Sequence, residues 1–402
     1  MTKKDFATMR QTLSISRRDL VALAACSALF SRPAFAGEAE AVAALLAERW
    51  QQRYAGKPGG LTFLALTPKG DVFATTLDAV TATSHFRGAS TTKTFTAAAI
   101  MLLDQRGLLK IDDVLTATMP GKSEPYLPDT PGFAIPNKDR ITIRQLLGHR
   151  AGVFDLANQE IPADKPVPYA GKRYVDWQVE QDAHHSFTKP ELIGVVAATQ
   201  VVNGEPGAAY HYSDTHYTIL GEIVERVSGM PLDQFKAAEL LKPNGLADTH
   251  FVTDGHESTL PPPAIAAFSL EQGKTAAADD YNYSYDPGSG NVFTTPKDLS
   301  RWIRQLVRGE AGVSKEQVAR MCDVAADSHY GLGISRKAAG SFDLGFGHNG
   351  GAPGFLTDLA YNPDNDMGYV LVSSLIDFDD LGSELGWLDE TAAAALQLIA
   401  KG

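Results

Sequence analysis

Ser90-Thr91-Thr92-Lys93 is a pairing of residue types that can break an acyl bond. A serine hydroxyl is a weak nucleophile until a neighbouring base takes its proton. A lysine can take it if burial or nearby cations lower its pKa. On a helix, positions three apart share a face and lie about 5–6 Å from each other. The start of a helix also favours negative charge on the serine oxygen. The spacing alone is weak, because Ser186-Phe187-Thr188-Lys189 repeats it. There Pro190 follows the lysine and is expected to push Lys189 out of helical geometry. Ser90 has the better context. A loop is expected before it and an amphipathic helix from Thr91 to Arg106 after it. Phe95, Ala98, Ala99, Leu102 and Leu103 form the apolar stripe of that helix, and Gly107 stops it. The competing reading of Ser90 is a helix N-cap.

Other reactive groups are fewer. Asp182, His184 and His185 invite a metal, but adjacent histidines in an expected loop read as solvated surface, so no metal site is assigned. No Gly-x-Ser-x-Gly elbow, phosphate loop or dinucleotide fingerprint is present, so no cofactor is expected. Tyr281, Tyr283 and Tyr285 alternate, which suits either an aromatic wall of a cleft or strand packing.

The elements that must hold Ser90 and Lys93 come from both ends of the chain. A helix is read over Glu38 to Tyr54. Strands are read over Leu61–Leu66 and Val72–Thr76, joined by the turn Pro68-Lys69-Gly70-Asp71. Leu359-Ala360-Tyr361 and Gly368–Ser373 flank the turn Pro363-Asp364-Asn365-Asp366, and a last helix runs from about Leu388 to Ala400. Helices are expected over Ile141–Gly148 and His216–Ser228. Segments 153–188 and 253–290 read as loops, long enough to be walls or lids of a site. The fold class that follows is α+β: one antiparallel sheet built from both termini and flanked by helices, with an inserted helical subdomain. The expected division is an α/β part over about 37–110 and 290–402 and a helical part over about 111–289.

Residues 1–36 read as an export signal. Lys3, Lys4 and Arg10 precede Arg17-Arg18, an apolar run from Leu20 to Phe30 follows, and Ala34-Phe35-Ala36 supplies a small-residue cleavage site. The arginine pair resembles a twin-arginine signal, which implies a periplasmic or secreted protein. The apolar run is short for a bilayer span, so no stable membrane insertion is expected after cleavage. Leu23-Ala24-Ala25-Cys26 resembles a lipid-attachment box, although cleavage after Ala36 leaves the longer apolar stretch. Apolar residues at 44% and charged residues at 21% suit a soluble globular chain of 402 residues. Removing the signal takes out six Lys and Arg and two Asp and Glu, so the net charge moves from −12 to −16. So acidic a chain argues against nucleic acid and anionic lipid as partners. Cys322 is then the remaining cysteine, which excludes an intrachain disulfide and reads as a structural thiol.

Four stretches together carry a resemblance. They are Phe86 to Phe95, the run Ile141 to Gly152, Tyr212-Ser213-Asp214 followed by Tyr217 to Gly221, and Phe346-Gly347-His348-Asn349-Gly350-Gly351. In this order they resemble the serine β-lactamase and D-Ala-D-Ala carboxypeptidase superfamily, in the branch of class C β-lactamases, D-aminopeptidases and related esterases. The matching stretches run from about Leu61 to Ser374. The resemblance implies roles. Ser90 attacks a carbonyl and forms an acyl-enzyme, and Lys93 and Tyr212 share the proton work. Tyr212, ordinarily near pKa 10, needs a cation beside it. The N–H groups of Ser90 and Gly351 form the oxyanion hole. Gly350 and Gly351 let a substrate approach closely, and His348 faces it from the same strand.

Two positions depart from the family pattern. Asp214 stands where asparagine is usual, and a carboxylate only accepts hydrogen bonds. It is expected either to favour an amine or N–H on the substrate or to contact Lys93 and hold it charged. His348 replaces the lysine of true β-lactamases, and a neutral imidazole binds a carboxylate less well. Both point to a D-Ala carboxypeptidase, D-amino-acid peptidase or amidase, or esterase, acting on a small-molecule or peptide substrate, ahead of a β-lactamase. The different-class alternative is a non-catalytic binder of cell-wall peptides on the same fold.

Overall fold

The computed structural model describes residues 36–401. The expected export signal lies outside the described residues, apart from Ala36, with which the first helix begins. That helix, α1 (Ala36–Tyr54), leads into the hairpin β1 (Leu61–Leu66) and β2 (Val72–Thr75). Then follow β3 (Phe86–Arg87), a 3-10 turn (Ala89–Thr91) and α2 (Thr92–Gln105). The middle of the chain holds α3 (Ile143–Leu147), α4 (Tyr174–Gln181), α5 (Lys189–Thr199), α6 (Asp214–Ser228) and α7 (Leu232–Lys236). Short strands β4 (His250–Phe251), β5 (Phe268–Glu271), β6 (Lys274–Ala277) and β7 (Val292–Thr294) come next, with α8 (Pro296–Val307) and α9 (Lys315–Met321). The chain returns through β8 (Ser335–Ala339), β9 (Phe342–Ala352), β10 (Phe355–Asn362), β11 (Met367–Ser373) and β12 (Leu375–Asp377) to α10 (Leu381–Lys401).

The main sheet is antiparallel with strand order β2-β1-β11-β10-β9-β8, so strands from both ends of the chain do form one sheet. Period-two alternation divides its side chains between two cores. Leu61, Phe63, Ala65, Tyr369 and Leu371 face α1 and α10, while Val370, Val372 and Leu359 face the helical side. Burial on both faces explains why β1 is apolar or buried at every position. Two three-stranded sheets, β12-β5-β6 and β3-β7-β4, complete the strands.

Helix α2 runs through the centre, buried on every side from Thr92 to Leu103. Its polar first turn is tied down by threonines. Thr92 Oγ1 accepts from Val292 N at 3.1 Å. Thr94 Oγ1 donates to Thr91 O at 2.7 Å and accepts from Trp302 Nε1 at 2.8 Å. Helices α3 and α5 open with capping boxes, Thr142 with Gln145 and Thr188 with Glu191.

Three differences from the sequence reading have local causes. Segment 153–188 contains α4, whose start at Arg173 lacks a capping side chain to announce it. Segment 253–290 contains the β5–β6 hairpin, whose strands are short and largely exposed. Lys189 is helical after all: Thr188 caps α5 and Pro190 sits in its first turn, where a missing N–H costs nothing. Ser186 lies outside that helix and accepts from Gly255 N at 2.9 Å, so the second Ser-Lys pair is not a site.

Candidate active site

The turn that carries Ser90 is forced by its neighbours. Gly88 N donates to Val292 O at 2.9 Å. A side chain on Gly88 would meet Val292 Cγ1 at 2.7 Å. Ala89 then takes a left-handed backbone with φ +48°. Such a conformation costs an alanine about 1 kcal/mol or more. It delivers Ser90, half-exposed, to the wall of a cleft of about 700 Å³.

Lys93 is fully buried. Its Nζ donates to Ser90 Oγ at 2.9 Å and to Ser289 O at 3.3 Å. The same Nζ lies 2.6 Å from Asp214 Oδ1. The Tyr212 ring is 4.8 Å from Nζ and the Tyr217 ring 5.6 Å. Ser90 and Lys93, one helical turn apart, therefore meet Tyr212 and Asp214 from a distant part of the chain.

Asp214 makes the Lys93 contact, one of the two roles open to it from sequence. Its Oδ1 also accepts from Ser289 Oγ at 2.7 Å and its Oδ2 from Asn158 Nδ2 at 2.8 Å. Burial works to raise the Asp214 pKa, but the Lys93 charge and these hydrogen bonds outweigh it and hold the carboxyl below its ordinary value. Around it stand two more acids. Asp155 is pushed up to about 7 by burial and by the Asp214 charge. Asp286 is driven well above the carboxylate range by the same two causes.

Tyr212 packs on His149, with ring centroids 4.2 Å apart. Burial raises its phenol pKa well above 10, and the Asp214 charge adds to the rise, while hydrogen bonding with Ser90 opposes it. The cation expected to lower this phenol is thus largely cancelled by its own counter-ion. His149 is itself fixed, accepting from Ser213 N at 3.2 Å and lying 3.1 Å from His216 Nδ1.

His348 differs from its expected place. It is 4% exposed and does not line the cleft. Its Nε2 lies 2.9 Å from the Tyr330 hydroxyl and its Nδ1 2.5 Å from Asn349 O. Burial, then the Lys93 charge, pulls it down to about 3, so it is neutral. The reason is register: β9 packs against the turn of Ser90, and the side chain at 348 points into the aromatic core behind it. Gly351 does line the cleft. Gly350 lies against Gly88 O, where no side chain fits.

Sequence reasoning missed Asp155, Asn158, Asp286 and Ser289, which surround Asp214 from loops that carry no motif. Tyr281, Tyr283 and Tyr285 prove to line the cleft, their ring centroids 5.9 to 6.4 Å apart. Arg87 lies buried behind them. It donates to the carbonyls of Ala278 at 2.5 Å, Asp279 at 2.8 Å, Ser258 at 3.0 Å and Pro353 at 3.3 Å. His185 lies 2.8 Å from Glu191 and His184 stacks on His256. Among the described residues no cluster of three or more His, Cys, Asp or Glu is arranged to hold a metal, and no helix is long and apolar enough to cross a membrane. Cys322 is half-buried, and burial pushes its thiol up to about 12.

Comparison with known proteins shows the family and the fold. A Bacillus subtilis (strain 168) protein, named provisionally as the penicillin-binding protein PbpX, is 25% identical over 300 residues, 75% of this chain and 64% of its own. A Salmonella schwarzengrund (strain CVM19633) protein, named provisionally as a D-alanyl-D-alanine carboxypeptidase, is 32% identical over 186 residues, 45% of this chain and 37% of its own. The match thus spans less than two thirds of either relative. Among solved structures, the D-amino acid amidase of Ochrobactrum anthropi SV3 complexed with L-phenylalanine amide has a TM-score of 0.71. It is 21% identical, over 91% of this chain and 99% of that one. A D-stereospecific amidohydrolase from Streptomyces sp. has a TM-score of 0.69 and 22% identity, over 89% and 98% of the two chains. These likenesses show a shared fold. The family model described as Beta-lactamase matches residues 42–387, most of the chain. The chain belongs to the Beta-lactamase family.

Proposed function

We propose that this protein is a serine hydrolase that cleaves an amide or ester through an acyl-enzyme on Ser90. The observation that carries the reading is the Lys93 Nζ contact with Ser90 Oγ at 2.9 Å, made by a buried lysine that Asp214 holds in place. Ser90 Oγ adds to the substrate carbonyl carbon as its proton passes to Lys93 Nζ, which gives one of its own to the carboxylate of Asp214, 2.6 Å away. The carbonyl electron pair moves to oxygen, which the N–H groups of Ser90 and Gly351 receive. The bond to the leaving amine or alcohol breaks, and the proton returns to that group by way of Tyr212. Water then repeats the sequence on the ester, releasing the acid and restoring Ser90.

D-amino-acid peptides or amides and simple esters rank ahead of β-lactams as substrates. The relatives named for a carboxypeptidase and an amidase support the first class. The buried, neutral His348 supports the low rank of β-lactams, since it offers no charge to a carboxylate. The reading extends to residues 1–36 as an export signal, which makes the mature hydrolase, residues 37–402, periplasmic or secreted.

A fluorophosphonate probe and p-nitrophenyl acetate test the function together. The wild type is expected to take up one probe per chain and to hydrolyse the ester. Ser90→Ala is expected to lose labelling and at least about three orders of magnitude in rate. Labelling or turnover retained by Ser90→Ala would place the chemistry elsewhere. A wild type that neither labels nor turns over would favour a binder of cell-wall peptides.

A further inference from the structure

Two oddities fall on one residue of the turn after α3. The backbone of His149 is left-handed, with φ +56°, a strained conformation uncommon outside glycine. Its ring is fully buried, and Nε2 has no hydrogen-bond partner among the described residues. Buried polar groups left in this way are few, and each calls for a reason. The hydrogen bonds around the ring decide which nitrogen holds the proton. Val153 N donates to His216 Nε2 at 3.3 Å, so the His216 proton is on Nδ1. That proton points at His149 Nδ1, 3.1 Å away, which also accepts from Ser213 N at 3.2 Å. His149 Nδ1 is therefore bare, and the proton sits on the unpartnered Nε2. Burial, and then His216 and the Lys93 charge beside it, keep the ring neutral, as this arrangement requires.

His149 holds the segment that reaches Lys93. Its carbonyl accepts from His211 N at 2.8 Å, and its Nδ1 takes Ser213 N. Between these two bonds the ring covers Tyr212, with centroids 4.2 Å apart. Three successive residues are thus registered on one histidine. Asp214, next along, has holders of its own. Ser289 and Asn158 donate to its carboxyl, and the Asp155 carboxyl accepts from its N–H at 3.3 Å. The Tyr212 hydroxyl has no such set, and the hydrogen bond described for it is with Ser90, the group it is to serve. Its direction is therefore set by the ring beneath it and by the backbone N–H that follows it.

We infer that His149 is a positioning residue, whose bare Nδ1 and ring face together aim the Tyr212 hydroxyl at the leaving group. This rests on the Ser90 reading and adds the residue that places its phenol. The strained backbone and the unpaired Nε2 follow from that placement, since the ring is oriented for Ser213 N and for Tyr212 and not for its own Nε2.

Two acetate esters that differ only in the leaving group test the inference. p-Nitrophenoxide leaves without a proton, whereas phenoxide leaves faster with one. His149→Gly removes the ring and the acceptor and relieves the backbone. Its kcat/KM for phenyl acetate is expected to fall at least about tenfold, and for p-nitrophenyl acetate by a smaller factor. His149→Asn puts an amide oxygen near the place of Nδ1 and tolerates a left-handed backbone. It is expected to recover most of the loss on phenyl acetate. No loss in His149→Gly, equal losses on the two esters, or a His149→Asn no better than His149→Gly would make His149 a packing residue and overturn the inference. Should His149→Gly fail to fold, nitrogen NMR spectra of the wild-type histidines decide. Between about pH 6 and pH 8 the His149 proton is expected on Nε2, and a proton on Nδ1 overturns the inference. A wild type that hydrolyses p-nitrophenyl acetate but not phenyl acetate overturns it as well and spares Ser90. A wild type that hydrolyses neither ester defeats both readings.

Discussion

Lys93 Nζ lies closer to Asp214 Oδ1, at 2.6 Å, than to the Ser90 hydroxyl, at 2.9 Å. The lysine therefore sits between its counter-ion and the proposed nucleophile. Removing one partner of such a buried pair commonly costs about 3–5 kcal/mol, because a charge is left uncompensated. Asp214 is thus a stability residue as well as a candidate determinant of substrate choice.

Asp214→Asn separates the two roles. Asparagine still accepts from Ser289 and Lys93, but it can also donate, and Asn158 must turn its amide to suit. The variant is expected to lose stability to urea and to be acylated faster by benzylpenicillin, followed by intact-protein mass. An unchanged or slower acylation rate would remove residue 214 from the account of recognition.

Tyr212→Phe keeps the ring packed on His149 and takes away only the hydroxyl. If the phenol passes the proton to the leaving group, kcat falls by about 10²–10⁴ while KM changes little. The loss should shrink for p-nitrophenyl acetate, whose leaving group needs no proton. An equal loss on amide and activated ester would assign Tyr212 to shaping the site.

Gly350→Ala tests the seam between β9 and the turn of Ser90. The new Cβ overlaps Gly88 O and lies 3.2 Å from Ala89 Cβ, so strand and turn must part. A displacement of about 1 Å near reacting groups can cost 10²-fold in rate. Turnover is expected to drop by that order while circular dichroism stays native. Wild-type turnover would show that the two elements yield without disturbing the oxyanion donors.

Glu384 predicts a pH dependence. Its ordinary pKa is 4.5, and burial raises it to about 7, with the hydrogen bond from Asp377 N and the Arg53 charge working against the rise. The folded chain holds this proton more tightly than the unfolded chain. The stability it adds is complete below pH 4.5 and is lost as the pH rises through about 7. Glu384→Gln keeps the acceptor for Asp377 N and removes the titration. Urea midpoints between about pH 5 and pH 8 should fall less for the variant than for the wild type. Asp155 and Asp389, also near 7, titrate in both proteins and leave a common slope. Parallel curves would clear Glu384 of the effect.

How much of this was legible in the chain depended on whether a residue's role is local. The strand Leu61–Leu66 was read to the residue because an unbroken apolar run has few alternatives. The Ser90–Lys93 pair was readable because one helical turn joins it. Tyr212 and Asp214 were placed by resemblance, and the contact with Lys93 was one of two outcomes left open. His348 shows the limit. Its motif locates it on β9, but which face it takes depends on the packing of Tyr330 and the Ser90 turn, which no local pattern encodes. Asp155, Asn158, Asp286 and Ser289 were invisible for a related reason. Each is an ordinary loop residue until the fold brings it to Asp214.

Arg87 has a consequence for how the cleft admits its contents. One cation fastens the tyrosine segment at Ala278 and Asp279 to the β9–β10 turn at Pro353. Spreading that rim would break several charge-assisted hydrogen bonds at once. Helix α4, which lines the same cleft through Arg173, Val175 and Asp176, is anchored by the buried Tyr174, whose hydroxyl donates to Glu191 Oε1 at 2.7 Å, and by Arg173, which donates to Ala157 O at 3.2 Å. Widening the cleft on the Arg87 side means giving up that whole set of bonds together, so the width of this rim is fixed by one side chain.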